Sequence, residues 1–258
     1  MPDPDLSARP AATVVIVRDR ADGAAELLMM ERAATMAFAA SALVFPGGRV
    51  DDADHELAAS IDHGLAMEDA VARVAAIRET LEESGLGVGF PADFGGARLL
   101  AMRKAMVGGT SFASEVKAHG LSLDLTTLVP FARWQPSGRS GDDPSRAFDT
   151  RFYVARAPLD QEASVDGTEN VRLFWRSAAA ILEDCDAGDG QIIFPTRRNL
   201  ERLAQFDDFD SIAAHAHAIP VEKVTAWIEE RDGVRHLCIP PHLGYPVTSQ
   251  ALDGVERG

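Results

Sequence analysis

The sequence predicts an α/β fold in which a mixed sheet lies between helices on both sides, an α/β/α sandwich. Three observations carry this reading. Val14-Val15-Ile16-Val17 and Leu27-Leu28-Met29-Met30 are unbroken apolar runs, the pattern of strands buried on both faces. Val71, Val74, Ile77 and Leu81 recur every three or four residues, the stripe of an amphipathic helix. Strand and helix patterns then follow one another in mixed order to the C-terminus, which suits a layered α/β domain.

The elements can be justified in turn. Pro2 and Pro4 with Asp3 and Asp5 give residues 1–8 the look of a disordered tail. Ala12 to Arg18 and Glu26 to Arg32 read as an antiparallel hairpin turned by Ala21-Asp22-Gly23. Arg32, at the strand end, could reach a phosphate or be a plain surface charge. Ala33 to Ala40 is a loop leading to a short strand, Leu43-Val44-Phe45, which ends in Pro46-Gly47-Gly48. Paired glycines let the backbone approach a ligand or metal closely. Residues 49–67 are acidic and predict an exposed loop. Met67 to Ser84 is the amphipathic helix, and Gly85 stands where a left-handed cap would end it.

Ala97 to Met106 and Ser111 to His119 predict two helices in an insertion over 93–125. The pair either walls a pocket or packs outside the sheet. Leu128 to Trp134 and Phe148 to Ala155 predict strands, joined by a polar loop that is either a lid or an ordinary connection. Trp134 either stacks on a base or fills the core. Arg146 and Arg151 are phosphate candidates. Val171 to Trp175 reads as a strand and Ser177 to Asp184 as a helix. A C-terminal extension, 194–247, holds helices over Asn199 to Phe206 and Ile212 to Ile219. It closes with strands over Val221 to Ile228 and Arg235 to Ile239, turned at Asp232-Gly233. His215 and His217 would leave a helix on different faces and make poor joint metal ligands. The expectation is one domain, 9–247, with a second disordered tail over 248–258.

Composition narrows the function. Of 258 residues, 46% are hydrophobic and 25% charged, ordinary for a soluble globular chain. Lys plus Arg is 25 against 40 Asp plus Glu, a net charge of −15. Nucleic acid is therefore not an expected partner, since it needs a basic footprint. An anionic substrate would need locally placed cations. Cys185 and Cys238 form no Cys-x-x-Cys pair, so neither a zinc site nor a disulfide framework is expected. There is no signal-peptide pattern and no apolar run long enough to span a membrane, which predicts a cytoplasmic protein without a membrane partner.

The chemistry concentrates in Arg78-Glu79-Thr80-Leu81-Glu82-Glu83-Ser84-Gly85. Glu79, Glu82 and Glu83 stand at i, i+3 and i+4, on one helix flank. Exposed like charges at this spacing repel by roughly 0.2–0.5 kcal/mol per pair. A hard divalent cation such as Mg²⁺ would offset that, because it prefers carboxylate oxygens. Taken alone, the helix reads more readily as a solvated acidic face.

A paired glycine at a strand end, followed by Arg-Glu-x-x-Glu-Glu-x-Gly on a helix, resembles the box of the Nudix hydrolases. The resemblance implies a Nudix fold with a helical insertion and a C-terminal extension. It implies hydrolysis of a nucleoside diphosphate linked to another group, a small nucleotide as substrate, and Mg²⁺ or Mn²⁺ as cofactor. By it Glu79, Glu82 and Glu83 are metal carboxylates, Gly48 adds a carbonyl, and Arg78 orients the set. Glu169, in a loop before a strand, matches by position an additional metal-binding or basic glutamate, and is otherwise a solvated loop acid. Arg32, Arg146 and Trp134 are the substrate-binding candidates. The oligomeric state stays open, a homodimer included.

The box is interrupted. Gly48 and Arg78 lie 30 residues apart, about twice the ordinary spacing. Gly64 has the ordinary spacing but follows no strand, so Gly48 is preferred. The box's earlier glutamate falls on Ala70, with Glu68 or Asp69 as substitutes. The interruption resembles the branch typified by peroxisomal coenzyme A diphosphatase. Phe45 to Asp51, Ala75 to Thr80, Ala132-Arg133-Trp134 and Arg146 to Phe152 fit that branch as well. It points to coenzyme A or an acyl-CoA as substrate. ADP-ribose, a dinucleotide, and a catalytically silent ligand-binding module are the alternatives.

Overall fold

The strand β1 (Arg9–Arg18) runs through the middle of the sheet. Its successive side chains serve two cores: Val14 and Ile16 face one, Val15 and Val17 the other, and all four are fully buried. Burial on both faces is why the run is unbroken rather than alternating. Each such side chain contributes about 1.5–3 kcal/mol of transfer free energy. The computed structural model describes residues 8–33, 41–136, 147–165 and 170–252.

β2 (Glu26–Arg32) returns antiparallel, as expected, but pairs with β1 only at Val17↔Leu27 and Arg18↔Glu26. The strands then part. β3 (Leu43–Val44) pairs with the end of β2, and β4 (Gly47–Arg49) with the start of β1. The segment carrying the paired glycines therefore fills the gap between them.

Next comes α1 (Asp52–Ser60), a helix where an exposed loop was expected over 49–67. Leu57 and Ala58 are buried against the apolar stripe of α2 (Met67–Ser84), and Asp54 is 1% exposed. Val71, Val74, Ile77 and Leu81 of α2 are buried as the periodicity demands. Gly85 ends α2 at φ 74°, its N–H donating to Leu81 O. A left-handed cap of this kind strongly favours glycine.

The helical insertion holds α3 (Ala97–Val107) and α4 (Phe112–Ala118). Ser111 caps α4 by accepting from the Ser114 N–H. Leu99, Met102, Met106, Phe112 and Val116 join the core that holds α2, so the pair packs beside the box helix.

β5 (Val129–Trp134) and β6 (Phe148–Arg156) are antiparallel, and β6 runs parallel to β1 from Arg9↔Phe148 to Val17↔Arg156. β7 (Asn170–Ser177) extends the sheet beside β2. The opposite face is covered by α5 (Ala178–Ala187), α6 (Phe194–Leu203) and α7 (Phe209–Ala218). Their Ile181, Leu200, Leu203, Ile212 and Ala216 lie in the second core. Helices on both sides of a mixed sheet make the α/β/α sandwich that the sequence predicted. α6 starts at Phe194 rather than Asn199, because Pro195 is tolerated in a first turn, where its missing N–H has no partner to lose.

β8 (Lys223–Val224), parallel to β5, completes eight strands among the described residues. β9 (Trp227–Arg231), β10 (Val234–Cys238) and β11 (Ser249–Ala251) form a separate antiparallel sheet. Asp232 and Gly233 turn β9 into β10 with φ of 53° and 79°, the left-handed pair a tight hairpin requires. β11 corrects the expected tail from 248: as an edge strand it gives its inward backbone groups partners on β10. Cys185 and Cys238 are free thiols. No helix among the described residues is long and apolar enough to cross a membrane.

Candidate active site

The C-terminal half of α2 meets the strand end at β4. Gly47 N–H donates to Glu83 Oε2 at 2.8 Å. A Cβ on Gly48 would overlap the Glu79 carboxylate, so any larger residue would push that carboxylate away from the strand end. Gly47 is the more constrained of the two, since a Cβ there would lie 2.7 Å from the backbone Cα of Thr13. Gly64, by contrast, has open space around it, which supports Gly48 as the partner of the box helix.

Arg78 organises the carboxylates. Its Nη1 donates to Glu79 Oε1 at 2.7 Å and to Glu82 Oε2 at 3.2 Å. Burial alone would lower its pKa, but hydrogen bonding to Asp54 and the charges of Glu79, Asp54 and Glu82 raise it well above the ordinary value. It is therefore permanently charged. Glu79 is pushed up to about 7, chiefly by burial, with Arg78 opposing and Glu82 adding to the shift. Glu83 is pushed up to about 8, by burial first and the Glu79 charge second, against the Gly47 and Asn170 hydrogen bonds. Glu82 is raised by burial as well.

Among the described residues, no three acidic, histidine or cysteine side chains converge, as they stand, on a point that could hold a metal ion. Glu79 and Glu82 turn to Arg78, and Glu83 turns to Gly47. The residues nonetheless fit a hard cation by donor chemistry: carboxylate oxygens on adjoining helix turns, some of them buried. They fit electrostatically too, because the Glu79 charge raises Glu83 and a cation beside the pair would lower both.

The other expected residues divide. Arg32 is brought to the site: its charge acts on Glu83, and its buried Nε has no hydrogen-bond partner among the described residues. Trp134 is not brought there. It is buried in the second core, donates to Tyr245 Oη at 2.9 Å and packs edge-on against Phe194 and Tyr245, so no face is left for a base. Arg151 pairs with Glu68 near the other end of α2. Glu68 and Asp69 do not replace the missing box glutamate, because Asp69 is taken by Arg73 and Tyr153. Glu169 and Arg146 lie outside the described residues.

Two contributors escaped the sequence reading. Asp54 of α1 receives Arg78 Nε and Nη2, each at 2.9 Å. Asp51 and Asp54 stand at the spacing of a capping box ahead of Leu57-Ala58, a helix-start signal that could have exposed α1. Arg103 of α3 donates to the carbonyls of Glu82 and Glu83, closing the C-terminal end of α2. No local pattern announces that contact.

No family model matches the chain. A Caenorhabditis elegans protein named for the Nudix hydrolases is 26% identical over 189 residues, covering 71% of this chain and 57% of that protein. An acyl-coenzyme A diphosphatase of Xenopus laevis is 22% identical over 262 residues, covering 82% of this chain and 69% of its own. The chain thus spans between just over half and about two thirds of these relatives' length. The crystal structure of a Nudix hydrolase from Alicyclobacillus acidocaldarius is 27% identical and superimposes with a TM-score of 0.70, over 81% of this chain and 96% of that one. A shared fold of this extent, together with a glycine strand end set against a helix of box glutamates, makes this chain similar in fold and in site to the Nudix hydrolases.

Proposed function

We propose that the protein hydrolyses the diphosphate linkage of a nucleoside diphosphate derivative with Mg²⁺ or Mn²⁺, and that coenzyme A or an acyl-CoA is the substrate. The observation that carries this reading is the placing of half-buried Glu79 and buried Glu83 beside the glycine strand end, with Arg78 holding Glu79 and Glu82. The acyl-coenzyme A diphosphatase relative supports the choice of substrate.

Glu79, Glu82 and Glu83 would hold the cation, with the Gly48 carbonyl beside them. Such an ion, when bound, neutralises diphosphate charge and lowers the pKa of a bound water. The remaining work belongs to the chain. Arg78 keeps Glu79 and Glu82 in place by charge-assisted hydrogen bonds, and the Gly47 N–H keeps Glu83. Glu83, whose metal-free pKa of about 8 a bound cation would lower, would then be ionised and could take a proton from the attacking water. Glu169 is the alternative base. Arg32, its Nε unmatched, would meet a phosphate oxygen, and Arg146 would serve an outlying one. Water adds across one P–O–P bond, so coenzyme A would give adenosine 3′,5′-bisphosphate and 4′-phosphopantetheine.

The test is a mass-resolved assay of coenzyme A, an acyl-CoA, ADP-ribose and a dinucleotide, with Mg²⁺, with Mn²⁺ and with chelator. Cleavage of coenzyme A at the diphosphate, abolished by chelator, is expected. Turnover of ADP-ribose or the dinucleotide alone would reject the substrate and keep the chemistry. Binding without turnover of any would make the chain a ligand-binding module.

A further inference from the structure

We infer that Asp54, in the segment that interrupts the box, is the positioning residue for Arg78 and, through it, for Glu79 and Glu82. The inference rests on the metal-site reading above. A guanidinium has five N–H donors in one rigid plane, and here each has an acceptor. Nε and one Nη2 hydrogen go to Asp54 Oδ1 and Oδ2 at 2.9 Å each. The other Nη2 hydrogen goes to Arg49 O at 2.8 Å, and the two on Nη1 go to Glu79 and Glu82. The two-point contact with Asp54 fixes the plane and so decides where Nη1 points.

Asp54 is itself held. Its Oδ2 also accepts from the Asp51 N–H at 2.9 Å, in the first turn of α1. At 1% exposure it has little water to fall back on. Ala70, where an uninterrupted box carries its glutamate, has no polar group to offer Arg78. The interruption therefore brings its own carboxylate to the site from 24 residues upstream.

The experiment is Mn²⁺ binding to the full chain, read from the paramagnetic resonance signal of free Mn²⁺. The proteins compared are wild type, Asp54→Asn, Asp54→Glu and Leu57→Ala. Outer-sphere partners of a metal site typically change affinity by about 10–100-fold when removed, so Asp54→Asn is expected to bind at least tenfold more weakly. Asp54→Glu keeps the charge but moves it by one methylene, and an intermediate loss is expected. Leu57→Ala loosens the same helix without touching Arg78 and should bind as wild type does. Should Asp54→Asn fail to fold, the Asp54→Glu and Leu57→Ala pair decides by the same criterion. Wild-type affinity in both Asp54 variants overturns the inference. So does an equal loss in Leu57→Ala, which would make Asp54 merely structural. No Mn²⁺ binding by wild type overturns the metal-site reading, and this inference with it.

Discussion

Glu83 is under two opposing demands. Burial and the neighbouring Glu79 favour its protonated form, whereas holding the proposed cation would require its charge. Glu83→Gln should therefore lower turnover by about 100-fold or more, the scale of a lost general base. Above about pH 8, where Glu83 would otherwise carry a buried charge, the same change should raise the stability of the metal-free protein by roughly 0.5–2 kcal/mol. Turnover at saturating Mg²⁺ and thermal unfolding in chelator check the two halves separately. The pH dependence follows from the same groups. Unfolded glutamates titrate near 4.3, while the folded Glu79 and Glu83 lie at about 7 and about 8. The folded state thus binds more protons, and their contribution is complete below the unfolded pKa and lost as pH rises through about 7 to 8. Metal-free protein should melt at a progressively lower temperature over that interval, and excess Mg²⁺ should flatten the curve. Identical curves with and without Mg²⁺ would count against these carboxylates as its ligands.

The elements around the box helix differ in how openly they announced themselves. β2 has the predicted bounds, Glu26 to Arg32, because unbroken burial leaves an unbroken apolar run. α2 has both its stripe and its glycine stop. α1 was missed because Asp51, Asp52, Asp54 and Glu56 look like a solvated face, and the acid that matters is aimed at Arg78, far along the chain. Trp134 shows the same limit: its strand was legible, but its sheet face depends on α6 and on Tyr245, which no local period reveals. Of the site, the glutamates and glycines were legible as a pattern, whereas Asp54 and Arg103 are tertiary facts. Both inserted segments can be tested by packing or capping variants. Leu57→Ala should cost about 2–5 kcal/mol, the range for a buried leucine. Arg103→Met should cost about 1–3 kcal/mol by stranding the Glu82 and Glu83 carbonyls. Denaturant unfolding measures both, and a neutral Arg103→Met would mean water can replace the guanidinium.

At the scale of the whole molecule, a net charge of −15 surrounds a site proposed for an anionic substrate. Long-range repulsion should slow encounter at low salt, and screening over a Debye length of about 10 Å at 0.1 M should relieve it. Initial rates at limiting substrate should therefore rise, by about twofold or more, as monovalent salt goes from 10 mM to 100 mM. A fall instead would mean that local cations such as Arg32 already govern the approach. The free thiols of Cys185 and Cys238 mean that no covalent cross-link between these two cysteines contributes to stability.

The parallel pairing of β1 with β6 has a consequence for how the protein is made. β1 leaves the ribosome before its long partner, which follows about 140 residues later, on the order of ten seconds at ordinary elongation rates. Through that interval one edge of an unusually apolar strand lacks its native neighbour. Only β2 and β4 can shield the other edge. Nascent chains stalled short of residue 148 should be the species that chaperones retain and that aggregates in their absence, and chains extended past 156 should resist both.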